Sequence, residues 1–333
     1  MRPTVDPTPI LQLVTAYWGS MTLFTANDVG VFTALSRGAR TAAELAKDLR
    51  VEERPLRLLL QGAAGLGFLT CQDGRFANTP LAETYLVEGR PAFLGNAVRY
   101  GADNYALWGA LPHVIRTGRP AAGAEDYLGT DPEKTRHFVW GMHNRALGVA
   151  RGIVNFIDLP AGTRLLDLGG GPGTYSVLLA QKIPGLHSIV YDLAPVVAIA
   201  EEIIASFGLS DRVTVQPGDF TAPAYPSNVG AALLSGILHR EPEDVCRAVI
   251  RKAWAALDPG GTIILGDVML NADRTSPTFS ALFGLHMLVC SERGGVHAKD
   301  EQCRWLEEAG FADVQVRDLP PPGVHTIIMG RKA

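Results

Sequence analysis

The sequence predicts an α/β fold in two parts, a mainly helical N-terminal domain followed by a layered domain of alternating strands and helices. Three observations carry the prediction. The 333 residues exceed the ~250–300 that one hydrophobic core usually organises. Short apolar runs alternate with helix-periodic stretches through the second half. A glycine-rich turn, Gly169-Gly-Gly-Pro-Gly173, stands between a strand-like run and a helix-like one.

With 47% hydrophobic and 19% charged residues, the chain has ample material for packed interiors and no compositional mark of disorder. Its 30 basic and 34 acidic residues leave a net charge of −4, so no global positive field attracts nucleic acid or anionic lipid. Cys71, Cys246, Cys290 and Cys303 lie far apart with no C-x-x-C pair. That spacing reads as reduced structural thiols rather than a disulfide framework or a zinc site. The opening residues lack a hydrophobic signal region, and no apolar run reaches the ~18–20 residues that span a bilayer. A cytoplasmic protein without membrane partners is expected.

In the N-terminal part, residues 1–90, apolar residues from Ile10 to Leu35 recur at helical spacing with breaks near Gly19 and Gly30, which predicts two helices. Thr41-Ala-Ala-Glu44 has the form of a capping box and opens a short helix through Leu49. A second helix begins near Arg54-Pro55 and runs through Leu56, Leu58, Leu59 and Leu60 towards Gly67. Phe68-Leu-Thr70 and Arg75-Phe-Ala77 flank Gln72-Asp-Gly74 as a small hairpin. Helix, helix, hairpin is a winged-helix-like order. A DNA-binding regulator is the rival reading, but the would-be recognition helix offers only Arg54 and Arg57, and the wing turn carries Asp73.

Residues 91–160 read as a helical, aromatic-rich connector that can roof a pocket, broken at Gly118–Gly123. From residue 161 to 333 the α/β pattern follows. Arg164–Leu168 is a short buried strand, the glycine turn follows, and a helix runs from about Thr174 to Lys182. Glycines suit such a turn because a side chain would keep the backbone from closing on a ligand at the helix N-terminus. A strand at His187–Tyr191 ends in Asp192, 23 positions after Gly169, where a carboxylate can accept both ribose hydroxyl protons. A third strand, Arg212–Gln216, leads into Asp219-Phe220, an acid and an aromatic suited to an adenine amino group and ring face. A fourth strand, Val229–Ser235, precedes His239. A helix from about Glu243 to Leu257 then reaches a Pro259-Gly-Gly261 turn and a strand at Thr262–Asp267, with late strands around Gln315 and at Thr326–Gly330.

This ordered set resembles the class I S-adenosylmethionine-dependent methyltransferases. Across nearly the whole chain it is similar to the small-molecule O-methyltransferases of plants and bacteria (caffeate- and hydroxyindole-O-methyltransferase-like). The resemblance implies a Rossmann-like, seven-stranded catalytic domain, a winged-helix-like dimerisation domain, a homodimer, and S-adenosylmethionine as co-substrate. It also implies that Asp167, Gly169 and Gly171 form the cofactor turn, Asp192 and Leu193 the ribose site, and Asp219 and Phe220 the adenine site. Ser235 sits four residues before the family's histidine, where plant members often carry lysine.

Methyl transfer requires a nucleophile in line with the sulfonium methyl group. A hydroxyl nucleophile must also lose a proton, a task suited to histidine. His239 matches the family's general base, and Asp267 matches an acidic position that orients it. Where the family commonly reads His-Asp-Trp, this chain has His239-Arg240-Glu241, and the second glutamate of plant members falls near Val296. Arg240, with Arg145 and Arg293, therefore raises an alternative, an S-methyltransferase of a small anionic thiol or thioether working by proximity without a base. Loss of methyl transfer altogether is a third option. Trp140, Met142, His143, Asn144, Arg145, Phe283, His286 and Met287 are candidates to line the substrate pocket. No H-E-x-x-H or comparable ligand spacing joins His143, His239 and His286, so no metal is expected.

Overall fold

The computed structural model describes residues 5–122, 131–321 and 323–333. It divides into two compact units, Met1–Ala106 and Leu107–Ala333.

The first unit holds α1 (Thr8–Asp28), α2 (Val31–Leu35), β1 (Arg40–Thr41), α3 (Ala42–Leu49), α4 (Glu53–Gly65), β2 (Leu69–Gln72), β3 (Arg75–Asn78), α5 (Pro80–Tyr85) and most of α6 (Gly95–Trp108). Thr41 caps α3 as its sequence demands. Its hydroxyl accepts from the Glu44 N–H at 3.2 Å, and the Glu44 carboxylate accepts from the Thr41 N–H at 2.7 Å. Asp73 and Gly74 both take positive φ, 50° and 74°, the signature of a two-residue hairpin turn whose twist suits β2 and β3. Phe32, Leu45, Leu56, Leu60, Leu69 and Phe76 fill the core between the helices and the three-stranded β1-β3-β2 sheet. The break expected at Gly19 does not occur. α1 runs through it unbroken, since Gly19 packs against Leu66 as part of the α1–α4 contact and needs no left-handed backbone. The chain turns only at Gly30, where φ is +84°.

The second unit opens with α7 (Leu111–Thr117) and the long α8 (Pro132–Asn155). It continues with β4 (Arg164–Leu168), α9 (Thr174–Lys182), β5 (His187–Asp192), α10 (Ala194–Ser206), β6 (Val213–Pro217) and β7 (Val229–Ser235). After α11 (Glu243–Ala256), β8 (Leu257–Asp267), α12 (Thr278–Cys290) and α13 (Lys299–Glu308), it closes with β9 (Phe311–Asp318) and β10 (Thr326–Lys332). The seven strands form one sheet in the order β6-β5-β4-β7-β8-β10-β9, with β10 antiparallel to both its neighbours. Leu165, Val190, Leu233 and Ile264 pack one face against α8, α9 and α10. Leu166, Leu234, Ile263 and Leu265 pack the other against α11 and α13. Burial on both faces is why these strands read as near-continuous apolar runs. The strand order reverses between β4 and β7, and such a reversal opens a ligand crevice at the carboxyl ends of the strands.

One strand begins earlier than the sequence predicts. The Pro259-Gly-Gly261 segment lies inside β8, where the pairing with β7 shifts register and Gly260 takes φ +75°. A bulge absorbs what sequence reasoning reads as a turn.

Candidate active site

The glycine turn is built by steric exclusion. Gly169 (φ +61°) leaves β4, and a Cβ there would lie 2.5 Å from Cγ2 of Ile237; one on Gly170 would meet the Asp167 carboxyl carbon at 2.7 Å. Gly173, at φ +71°, starts α9 in a left-handed conformation. The turn is tied to the next strand end by Asp192. One carboxylate oxygen accepts the Gly171 N–H and the other the Leu193 N–H, each at 2.7 Å. Burial raises the Asp192 carboxyl above its ordinary range, partly offset by those two backbone donors.

Asp167, at the end of β4, is 1% exposed. Burial pushes its carboxyl up to about 7, against the opposing pull of Ser176, whose hydroxyl donates to Oδ2 at 2.6 Å. Ser188 closes this buried network at 2.8 Å from Ser176. The other Asp167 oxygen, Oδ1, has no hydrogen-bond partner among the described residues. An orphaned buried acceptor beside a cradle that tolerates no side chain fits a cationic, polar ligand end such as the methionine moiety of S-adenosylmethionine.

Past β6, Asp219 holds its own loop, accepting from the Thr221 N–H at 2.7 Å and the Thr221 hydroxyl at 2.8 Å. The Gly218 N–H donates to the Asp192 carbonyl at 2.9 Å, bringing the second and third strand ends together. Phe220 is half-buried, its carbonyl held by Lys252 at 3.0 Å and by the Tyr225 hydroxyl. Ser235 ends β7 and bonds the Tyr175 hydroxyl, which burial raises to about 12.

His239 lies on a short 3-10 turn, Leu238–Arg240. Its Nδ1 is 2.7 Å from Oδ1 of Asp267, and that same oxygen accepts the Val268 N–H at 2.7 Å. An oxygen that already accepts one donor makes Nδ1–H the second, leaving the Nε2 lone pair free. The Phe283 ring meets the imidazole edge to face, centroids 4.9 Å apart. The loop's backbone is braced from behind, with the Gly295 N–H donating to the His239 carbonyl at 2.8 Å and His297 Nε2 bonding the Glu241 carbonyl at 2.9 Å.

The substrate-pocket candidates divide. Phe283, His286 and Met287 lie on α12, with Phe283 and Met287 buried beside Val268 and Val296. Thus the position nearest the missing glutamate is apolar. Trp140 packs with Val196, Ile199 and Ile203 of α10. His143 bonds the Thr174 hydroxyl at 2.8 Å, and burial lowers it to about 4. These two join α8 to α9 and α10, whereas His286 bonds Trp108. Met142 and Asn144 are half-buried on α8, and Arg145 is exposed. The charge of Arg145 is nonetheless felt at Tyr175, His286 and His325. Arg240 acts on Asp192, Glu241 and Cys290, and Arg293 pairs with Asp244 at 3.8 Å.

Sequence reasoning placed Trp108 in the aromatic-rich connector without its partner, and did not single out Tyr175, Ser176, Ser188 or His325. Their partners lie on other elements, so no local spacing announces them. Among the described residues no group of three or more His, Cys, Asp or Glu is placed to hold a metal, and no helix is long and apolar enough to cross a membrane.

Comparison with known proteins identifies the family. A family model described as the O-methyltransferase domain matches residues 96–312, and one described as the O-methyltransferase dimerisation domain matches residues 11–88. The chain is 33% identical over 331 residues to 3-hydroxy-5-methyl-1-naphthoate 3-O-methyltransferase of Streptomyces sahachiroi, covering 98% of this chain and 96% of that one. It is 30% identical over 331 residues to the tetracenomycin polyketide synthesis 8-O-methyl transferase of Streptomyces glaucescens, covering 98% and 97%. The crystal structure of human N-acetylserotonin methyltransferase in complex with S-adenosylmethionine superposes with a TM-score of 0.88 at 25% identity, covering 100% of both chains. This chain belongs to the O-methyltransferase family, carries its dimerisation domain, and is an S-adenosylmethionine-dependent O-methyltransferase of small molecules.

Proposed function

We propose that the enzyme methylates a hydroxyl group of a small aromatic acceptor, with His239 as general base. The observation that carries the proposal is the Nδ1–H bond from His239 to Asp267 at 2.7 Å, which leaves the Nε2 lone pair free to take a proton. When bound, S-adenosylmethionine supplies an electrophilic methyl group. His239 Nε2 takes the acceptor's hydroxyl proton as the oxygen attacks the methyl carbon. The carbon–sulfur bond breaks, its electron pair stays on sulfur, and S-adenosylhomocysteine leaves. Asp267 holds the imidazole in one tautomer and stabilises the imidazolium that forms. A thioether acceptor carries no proton and needs no such base, so the His239–Asp267 pair favours the hydroxyl reading over S-methylation.

In this reading Asp192 receives the ribose hydroxyls, Asp219 and Phe220 the adenine, and Asp167, Gly169 and Gly171 the methionine end, with Leu193 and Ser235 at the rim. Aromatic acceptors accord with the naphthoate and polyketide named for the two Streptomyces relatives, and with the Phe283 ring beside His239, on which Phe279 stacks. We also propose that residues 1–90 pair two chains into a homodimer, residues 91–160 cover the acceptor and residues 161–333 carry the catalytic domain. α1 exposes Ile10 at 68%, Leu13 at 76% and Trp18 at 60%, an apolar stripe of the kind a partner chain covers. A mass-spectrometric screen of phenols, hydroxynaphthoates, thiols and thioethers with S-adenosylmethionine tests the acceptor atom. Methylation confined to sulfur would refute the hydroxyl assignment.

A further inference from the structure

The turn that carries His239 does not support itself. Leu238–Arg240 is a single 3-10 turn whose internal bonds run from the Arg240 N–H to the Ile237 carbonyl and from the Glu241 N–H to the Leu238 carbonyl, each 3.1 Å. Hydrogen bonds in such a turn have poor geometry, so partners outside it decide where it stands. Here they come from the stretch between α12 and α13. The Gly295 N–H donates to the His239 carbonyl at 2.8 Å, and His297 Nε2 lies 2.9 Å from the Glu241 carbonyl. A carbonyl only accepts, so His297 carries a proton on Nε2 and donates it. From α11 the buried Cys246 thiol donates to the Leu238 carbonyl at 3.2 Å and reaches the Glu241 carbonyl at 3.4 Å.

His297 has a second attachment, on the side of Asp267. Its carbonyl accepts the Leu270 N–H at 3.1 Å, the Lys299 N–H donates to the Leu270 carbonyl at 2.9 Å, and Leu270 pairs with Ala298 as a parallel bridge. Leu270 follows Asp267 closely, on the chain that leaves β8. One residue thus holds the turn of the base through its ring and the chain of the carboxylate through its backbone. The ring itself is fixed, because Trp305 of α13, 2% exposed, meets it edge to face with centroids 4.9 Å apart. Gly294 lets this stretch come close, since a Cβ there would lie 3.0 Å from the His239 carbonyl oxygen. Resting on the reading of His239 as general base, we infer that His297 is a positioning residue of the reaction, setting the separation of His239 and Asp267 from both sides at once. The His297 N–H is taken up by the Glu241 carbonyl, so the residue acts through His239 rather than on the acceptor. The 2.7 Å bond between His239 and Asp267 tolerates little drift, as N–H···O bonds extend only to about 3.2 Å. When the turn is loosened, Asp267 no longer selects the Nδ1–H tautomer. In the other tautomer Nε2 already carries a proton and cannot take one from a hydroxyl.

Nitrogen-15 spectra of the full-length, histidine-labelled protein without ligands read the His239 tautomer directly, with its signals assigned by their loss in His239→Ala. The wild-type protein should show Nδ1–H alone. His297→Phe keeps a ring against Trp305 and removes the donor, and it should give a mixture of tautomers at His239. On a phenol or hydroxynaphthoate that the wild type methylates, the same variant should lower kcat roughly tenfold and leave the KM for S-adenosylmethionine within about twofold. His297→Gln keeps an N–H and should restore most of both properties. Gly294→Ala, which presses on the His239 carbonyl, is an independent variant and should disturb the tautomer in the same way. A merely structural role would lower the melting temperature and leave the His239 tautomer alone. A tautomer unchanged in both His297→Phe and Gly294→Ala would overturn the inference, as would a mixture that His297→Gln leaves uncorrected. The reading of His239 as base fails separately, through a loss of less than about tenfold in kcat for His239→Ala, whichever tautomer the spectra show.

Discussion

His239 and Asp267 lie 28 residues apart in the chain, yet their side chains meet at 2.7 Å, one on the turn after β7 and the other at the end of β8. The parallel pairing of β7 with β8 sets this meeting, since Ser235 and Gly266 are register partners and each is followed closely by the residue in question. Removing either partner should therefore act on turnover rather than on cofactor binding. His239→Ala is expected to lower kcat by roughly 10²- to 10⁴-fold, and Asp267→Asn to cost at least tenfold by releasing the tautomer. Steady-state kinetics on the true acceptor, alongside S-adenosylhomocysteine titration, check both. A loss of less than about tenfold for His239→Ala would remove it as the base.

Asp192 ties the glycine turn to the start of α10, and the ribose is its proposed ligand. Asp192→Ala should weaken S-adenosylmethionine binding by one to two orders of magnitude, the worth of a charge-assisted hydrogen bond of about 1.5–3 kcal/mol. Calorimetric titration of a folded variant decides. An unchanged dissociation constant would exclude Asp192 from the cofactor site.

Gly169→Ala should impair the cofactor turn for steric reasons alone. Its Cβ would stand 2.5 Å from Ile237 at a backbone φ of +61°. A stability loss of about 1–3 kcal/mol, together with weakened cofactor binding, is expected. Thermal denaturation with and without S-adenosylhomocysteine measures each effect, and a variant matching wild type in both would contradict the close packing.

Asp167 makes the free protein's stability depend on pH. Its folded-state carboxyl is raised to about 7 from an ordinary value of 3.8, so between these values the folded chain keeps a proton that the unfolded chain has released. Stability then falls as pH rises across that window and levels off above it. Asp167→Asn should flatten this part of the profile, and it should weaken S-adenosylmethionine binding if Oδ1 takes the ligand's ammonium group. Melting temperatures of the two ligand-free proteins at pH 5 and pH 8 provide the comparison. Identical pH slopes would show that Asp167 does not titrate as described.

The α1 stripe predicts an association that charge should break. Introducing Leu13→Asp and Trp18→Asp together should convert a homodimer into a monomer at low micromolar concentration, as read by light scattering. A wild-type monomer across that range would refute the proposed role of residues 1–90.

Much of this enzyme was legible locally. The Thr41–Glu44 capping box, the Asp73-Gly74 hairpin and the glycine turn after Leu168 each depend on residues within a few positions of one another, and each fold element appears where its sequence puts it. The spacing from Gly169 to Asp192 was legible too, because one strand–helix–strand unit fixes it. Other features depended on distant residues. Gly19 breaks no helix because α4 packs against α1, and Gly260 makes a bulge because β7 supplies a partner that a free turn lacks. The Trp108–His286 bond spans 178 residues, and the Asp167–Ser176–Ser188 network joins α9 to two strands, so neither leaves a period or motif to read. Local hydrogen bonding and hydrophobic periodicity determined the elements and the glycine turn. Only the tertiary packing decided which histidine receives an indole and which side chains stand unpaired around it.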